Sequence, residues 1–479
     1  MKIILFIINF SLFFVSSAGA QEAWDLEKCI AYAIENNIQI KQQELSQNRV
    51  LQDLNQSKAN LFPSLNAGAT HGYNWGQTID RFTNQFATER VRTNNLYVSS
   101  DVTLFNGFQN SNTIKQNKLN WLASMQEVEK IKNDISLNVA NSYLQILFNT
   151  ENTRIAEAQK NVTQLQVERT EILFDAGTVA KSSLLDLESQ LATEELNLVN
   201  AQNTLQLSNL ALVQLLQLPI EQSNTFKITE PIINNLDVGD IATSAEEIYN
   251  IALSQQPQIK SAEYNMQSAA KSLAISKGLR SPSVSLSGSV GSGYSGASQE
   301  GTGNLINLGR SRIGIDQETG AVIDSYEEQI TYADFRTKPF SNQINDNVNK
   351  SVSISLNVPI FNGLQAKTSV ARAKINADIT SLNMQAAKNQ LLQDVQSAHL
   401  NAQAAYKKFQ AATKATAASK ESFGYAQIRY DQKIINSVDY INSKNIATNA
   451  EVELIKAKYE YVFRTKILDF YQGKPITLK

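Results

Sequence analysis

The sequence predicts an α+β membrane chain in which four barrel-type strands alternate with very long coiled-coil helices, laid out as two tandem structural repeats. Three observations carry that fold class. Fixed offsets reproduce one half of the chain in the other. Long stretches without proline hold apolar residues at helical spacing. Four segments of about ten residues alternate apolar and polar side chains, a length that crosses a tilted bilayer.

The repeat comes first, because missing one misassigns the whole fold. Gln39-Ile40-Lys41 recurs as Gln258-Ile259-Lys260, 219 residues on, and the same offset maps Ser57-Lys58 onto Ser276-Lys277 and Pro63 onto Pro282. Further along, Phe105-Asn106-Gly107 recurs as Phe361-Asn362-Gly363, an offset of 256 that holds without a gap to Pro219-Ile220 and Pro475-Ile476. The second copy therefore carries 37 extra residues between Pro282 and Phe361. An insertion confined to one place marks an exposed loop. Its body, residues 296–350, is rich in Gly, Asn, Ser and acidic side chains. The copies run 22–220 and 244–479, with 221–243 as the linker.

Each copy should hold a long helical hairpin, over 107–217 and 363–471. No proline interrupts the chain between Gly107 and Ala176, and about 70 helical residues make a rod of roughly 105 Å. In the following helix, steps of three and four pick out Leu184, Leu187, Leu191, Glu194, Leu198, Ala201, Leu205, Ser208, Leu212 and Leu215. That is a coiled-coil seam interrupted by Glu194 and Ser208. The hairpins turn near Gly177 and near Lys433.

The strands fall at about 64–76 and 95–105 in the first copy and 283–294 and 350–360 in the second. Val284, Leu286, Val290 and Tyr294 alternate with Ser283, Ser285, Ser287 and Ser289; Val352, Ile354, Leu356, Val358 and Ile360 alternate with Ser351, Ser353, Ser355 and Asn357. Leu65, Ala67, Ala69, Tyr73 and Trp75 share a face in the first strand, and Leu96, Val98, Val102 and Leu104 in the second. Tyr73, Trp75 and Tyr294 lie at the loop ends, where aromatic girdles meet the membrane interface. A sheet in lipid must close on itself, and four strands cannot. The barrel must be shared: two subunits would give eight strands, three would give twelve.

Other features bound the function. Lys2, the apolar stretch Ile3–Val15 and Ala18-Gly19-Ala20 before Gln21 form a signal peptide over residues 1–20. No later apolar run is long enough for a membrane helix. Lys and Arg number 43 against 45 Asp and Glu, a balance that speaks against a nucleic-acid partner. The single cysteine, Cys29, excludes an internal disulfide framework. Gly291-Ser292-Gly293-Tyr294-Ser295-Gly296 spells G-x-G-x-x-G, but no amphipathic helix follows to receive a dinucleotide phosphate. His71 and His399 stand apart from any metal-ligand or triad spacing. No catalytic residue, cofactor-binding residue or metal ligand is expected, and an enzyme is not.

The tandem copies, the joints Leu61-Phe62-Pro63-Ser64-Leu65 and Ser281-Pro282-Ser283-Val284-Ser285, the returns Leu104-Phe105-Asn106-Gly107 and Ile360-Phe361-Asn362-Gly363, and the turn Ala176-Gly177-Thr178-Val179-Ala180 before Ser183-Leu184-Leu185 together resemble the TolC family of outer-membrane efflux proteins. The resemblance covers essentially the whole mature chain. It implies a homotrimer whose twelve strands form one barrel, continuous with a periplasmic tunnel of twelve helices. Residues 22–35, 221–243 and the C-terminus would belt the tunnel. It implies a location in the outer membrane of a Gram-negative bacterium. The expected partners are outer-membrane lipid, a periplasmic adaptor and an inner-membrane RND or ABC transporter. Substrates of efflux or type I secretion would pass through passively.

The same resemblance carries two sites onto residues. Gly177, Thr178, Val179 and Ala180 match the family's adaptor-docking turn. The second tip, Gln432-Lys433-Ile434-Ile435-Asn436, lacks the usual glycine. At the periplasmic gate, Tyr430 and Asp439 match the aromatic and the acid; Asn442 stands where a second acid can occur, and Ile435 where a basic tether can occur. A ring of three Asp439 would favour cations. Two other classes fit parts of the pattern. A structural coiled-coil envelope protein would not need apolar strand faces. A periplasmic adaptor would carry one hairpin and compact β-domains.

Overall fold

The computed structural model describes residues 23–87, 90–223, 225–231 and 243–477; the expected signal peptide and the middle of the linker lie outside them. The first copy comprises α1 (Leu26–Asn36), α2 (Ile38–Ala59), β1 (Ser64–Asn74), the short strands β2 (Thr78–Ile79) and β3 (Phe86–Ala87), β4 (Val91–Phe105), α3 (Gln109–Asp175) and α4 (Lys181–Leu216). A single turn, α5 (Ile220–Ser223), follows. The second copy repeats the order: α6 (Ala245–Gln255), α7 (Pro257–Gly278), β5 (Ser283–Ser295), an elaborated loop, β10 (Asn349–Asn357), α9 (Gln365–Asp431) and α10 (Ser437–Tyr471). That loop holds β6 (Gln299–Asn307), β7 (Arg312–Ile315), β8 (Val322–Asp324), β9 (Ile330–Thr337) and α8 (Phe340–Asp346).

The inserted stretch, expected as an exposed loop, folds into two ribbons, β6 with β9 and β7 with β8, each with a register shift. Its side chains are nonetheless mostly exposed, as an insertion outside the core requires.

The chain divides into two compact units. One, residues 52–118 and 268–377, contains the sheet. Its strand order is β1-β4-β5-β10, all neighbours antiparallel. Register aligns the apolar positions across all four strands: Ala67 faces Val98, Val98 faces Val290, and Leu286 faces both Val102 and Ile354. The opposite face is polar, with Ser287 and Ser353 hydroxyls 2.7 Å apart and Ser289 and Ser351 2.8 Å apart. The apolar face is bare: Val352 is 80%, Ile354 70% and Leu356 67% exposed. Each such side chain gains roughly 1.5–3 kcal/mol on leaving water, so this face needs an apolar solvent. Among the described residues, no strand lies beside the outer edges of β1 and β10.

The described residues of the other unit, within 23–51, 119–267 and 378–477, are mainly helical. α3 and α9 each run 67 residues, about 100 Å at 1.5 Å per residue. Among the described residues no helix is long and apolar enough to cross a membrane. The seam read from α4 is buried at Leu184, Leu187, Glu194, Ala201 and Leu212. Two quasi-equivalent cores anchor the short helices. Cys29, Ala33, Ile40 and Val139 sit in the first, and Ile248, Ala252, Ile259 and Val395 in the second. The linker is pinned at its two visible ends by equivalent positions. The Tyr143 hydroxyl donates to the Thr229 carbonyl at 2.5 Å, and His399 Nε2 lies 3.1 Å from the Thr243 carbonyl.

Candidate functional site

The hairpin tips share one backbone design. α3 ends in a left-handed residue, Gly177 (φ +72°), whose N–H donates to Phe174 O at 2.8 Å; the next N–H, of Thr178, donates to Leu173 O at 2.9 Å. This pair of bonds satisfies carbonyls that the helix end leaves open. The Thr178 hydroxyl reinforces it, donating to the same Leu173 oxygen at 2.9 Å. α9 ends identically, with Lys433 (φ +60°) in place of glycine; Lys433 N–H donates to Tyr430 O at 2.9 Å and Ile434 N–H to Arg429 O at 2.8 Å. Gly177, Thr178 and Ala180 are exposed and Val179 is half-buried, so the first turn is accessible.

The expected gate residues do not form one cluster. Tyr430 stacks on Tyr440, ring centroids 4.7 Å apart, and Phe423 lies tilted against Tyr440 at 5.6 Å. Tyr440 is 1% exposed; burial above all, helped by Tyr430 and Asp431, pushes its hydroxyl up to about 12. Asp439 and Asn442 instead stand exposed, one turn apart on α10. Asn436 caps that helix, its side chain accepting from Asp439 N–H at 2.8 Å, which places Asp439 in the first turn where an acid is favoured.

Side-chain links between the hairpins escape the sequence reading, among them a weak one from Gln190 to Asn445 at 3.3 Å and three others. Arg169 bonds Asp431 at 2.6 Å, and the Ser437 hydroxyl donates to Asp186 at 2.8 Å. Both partners of the first pair are more than a third exposed, so it contributes at most about 1 kcal/mol. The third link is buried. Lys444 Nζ on α10 bonds Glu194 Oε1 on α4 at 2.8 Å and donates to Gln159 O on α3 at 3.1 Å. It also contacts the Thr163 hydroxyl, which donates to Glu194 Oε2 at 2.6 Å. Desolvation holds the Lys444 pKa below its ordinary value, opposed by the Glu194 carboxylate. The signal in the sequence was Glu194 itself, a charge in an apolar seam.

At the strand ends, Tyr73 (42% exposed) and Trp75 (71%) keep open rings 6.1 Å apart, with Arg90 over Tyr73 at 5.1 Å. Tyr294 differs from the expectation of an interfacial ring: it is 6% exposed. Phe340 of α8 covers it at 5.6 Å, and Arg92 both lies over its ring at 4.8 Å and donates to its hydroxyl at 2.9 Å. The inserted helix does the covering, and nothing in the local strand pattern reveals it. His71 lies 2.5 Å from the Asn94 side chain and edge-on to Tyr73, inside the same sheet.

Comparison with known proteins agrees with this architecture. The family model described as outer membrane efflux protein matches residues 29–217 and 248–469. The chain is 21% identical over 474 residues to the outer membrane protein TolC of Escherichia coli K12, covering 96% of this chain and 84% of that one. It is 22% identical over 445 residues to the toxin and drug export protein A of Aggregatibacter actinomycetemcomitans, covering 91% and 83%. The crystal structure of the outer membrane protein VceC from Vibrio cholerae superposes with a TM-score of 0.75 at 14% identity, covering 94% and 96%. With its two matched copies, its four-stranded sheet and its paired long hairpins, the chain belongs to the outer membrane efflux protein family, as a non-enzymatic exit duct of the outer membrane with its helical part in the periplasm.

Proposed function

We propose that three copies of the chain close one twelve-stranded barrel and conduct substrates passively outward from an inner-membrane pump and its periplasmic adaptor. One observation carries the assembly: the sheet has four antiparallel strands, a bare apolar face and two open edges. Unpaired strand edges are not tolerated in lipid, so β10 of one subunit must meet β1 of the next. An even number of alternating strands makes that junction antiparallel too. A second apolar stripe on α4, at Leu196, Val199, Leu207 and Leu210, is exposed in the single chain and suits packing between subunits.

Within this duct the exposed turn Gly177, Thr178, Val179 and Ala180 is the adaptor-docking tip. Asp439, with Asn442 one turn on, lines the periplasmic constriction. Tyr430 acts from behind it by packing α9 on α10 through Tyr440. Tyr73 and Trp75 sit at the outer membrane interface. Efflux and type I secretion both fit this duct, since the pump selects the cargo.

The test is the mass of the protein extracted from outer membranes in mild detergent, corrected for bound detergent. Three chain masses are expected. A monomer that stays dispersed without detergent contradicts the shared barrel.

A further inference from the structure

The loop between β1 and β4 folds back over the polar face of β5. Phe82 lies against that face at Gly293, where an added Cβ would clash with the ring. Ser295 points to the same face, two residues on. Its hydroxyl donates to Asp80 Oδ2 at 2.5 Å. The other Asp80 oxygen accepts from the N–H groups of Phe82 and Thr83, at 3.1 and 2.9 Å, and from the Thr83 hydroxyl at 3.0 Å. Ser295 is held in turn by Gln343 of α8: its N–H donates to Gln343 Oε1 at 2.9 Å, and Gln343 Nε2 donates back to the Ser295 carbonyl at 3.0 Å. Asp80 is 4%, Ser295 0% and Gln343 1% exposed, so the fastening is a buried and fully partnered polar network.

This gives the Gly291–Gly296 run a physical reason. Gly293 leaves room for Phe82, and Ser295 supplies the bond to Asp80. Beyond the fastening, β2 and β3 pair Ile79 with Phe86, and both are exposed (57% and 70%). When the apolar face of the sheet meets lipid, the polar face lines the lumen. A loop fastened to that face at the strand ends stands in the exit path, and apolar side chains there narrow it and repel water.

We propose that the segment 79–86 is a fixed collar at the outer mouth that sets the size of solute the duct passes, with Asp80 as its positioning residue and Ile79 and Phe86 as the narrowing pair. The inference rests on the duct reading, because barrel closure is what makes the polar face a lumen.

The test uses the full chain in outer membranes with Ser285→Cys, an exposed position on the polar face below the collar. The native Cys29 is fully buried and stays silent. Labelling from outside is timed with a small methanethiosulfonate and with a bulky polyethylene-glycol maleimide. The collar predicts prompt reaction with the small reagent and slow reaction with the bulky one. Asp80→Ala, and separately the surface change Phe86→Ala, should speed the bulky reagent at least about tenfold, equivalent to a barrier lowered by about 1.4 kcal/mol, and leave the small one unchanged. A bulky reagent that labels the parent as fast as both variants overturns the collar. If even the small reagent fails to reach Ser285→Cys, the polar face is no lumen and the duct reading itself falls.

Discussion

Gly177 and Lys433 occupy the same left-handed position at the tips of the two hairpins, with the same two backbone bonds closing each helix. Only the first has the residue that the position favours. A side chain in this region costs roughly 1 kcal/mol or more relative to glycine. An added Cβ at Gly177 would meet nothing within 4 Å, so the difference is purely conformational. Lys433→Gly should therefore slow amide exchange in the last turn of α9 severalfold and stabilise it by about 1 kcal/mol. Gly177→Lys should do the reverse in α3. Equal exchange in Lys433→Gly and the parent would show that the turn carries no strain.

The buried pair Lys444–Glu194 ties α10 to the first hairpin. Removing one partner leaves the other charged and unpaired in the interior, at a cost of about 3–5 kcal/mol. Lys444→Met should lower the unfolding midpoint sharply. The double change Lys444→Met with Glu194→Leu should recover most of the loss, because two packed apolar groups replace two desolvated charges. Calorimetry on the four proteins of the cycle checks both; an additive result would dismiss the coupling.

Asp439 is exposed in the first turn of α10, and in the proposed trimer three such carboxylates would line the constriction. Asp439→Ala should lower the cation preference of single channels in planar bilayers, and Asn442→Asp should raise it. Reversal potentials in a salt gradient measure both. Unchanged selectivity in both variants would remove this face of α10 from the pore.

Cys29 gives a pH signature. Burial, with Asp25 nearby, pushes its thiol up to about 12 from 9.0. The folded chain thus keeps a proton that the unfolded chain releases above pH 9.0. The stability this contributes is complete below that pH and declines as pH rises toward about 12. Between pH 8 and 10 the loss should be on the order of 1 kcal/mol, and Cys29→Ala should lack it. The difference between the two proteins' stability–pH curves isolates this group from the buried tyrosines.

Much of this was legible because periodicity is a local property. Val352, Ile354 and Leu356 announce a two-faced strand whatever surrounds them, and the α4 seam from Leu184 to Leu212 falls on the buried side. Tandem offsets tied the copies together, though sequence equivalence did not always mean equal burial: Leu144 is 4% exposed and its counterpart Leu400 64%. What stayed hidden depends on distant partners. Tyr294 sits on the apolar side of its strand, yet Phe340, 46 residues later, covers it. Glu194 looked like a flaw in a seam until Lys444 met it. The Gly- and Asn-rich insertion lacks strong alternation, so its short bulged ribbons left no pattern to read.

In the proposed trimer, β10 of one subunit pairs with β1 of the next. Within one chain these strands are the opposite edges of the sheet, so they cannot touch each other. Cysteines on the polar faces at mid-strand, scanned around Thr70 in β1 and Ser353 in β10, test the seam by oxidation in outer membranes followed by denaturing electrophoresis. Covalent dimers and trimers are expected, nothing larger, and only when both edges carry a cysteine. Cross-link-free monomers across the whole scan, with both cysteines accessible to reagent, would contradict the shared barrel.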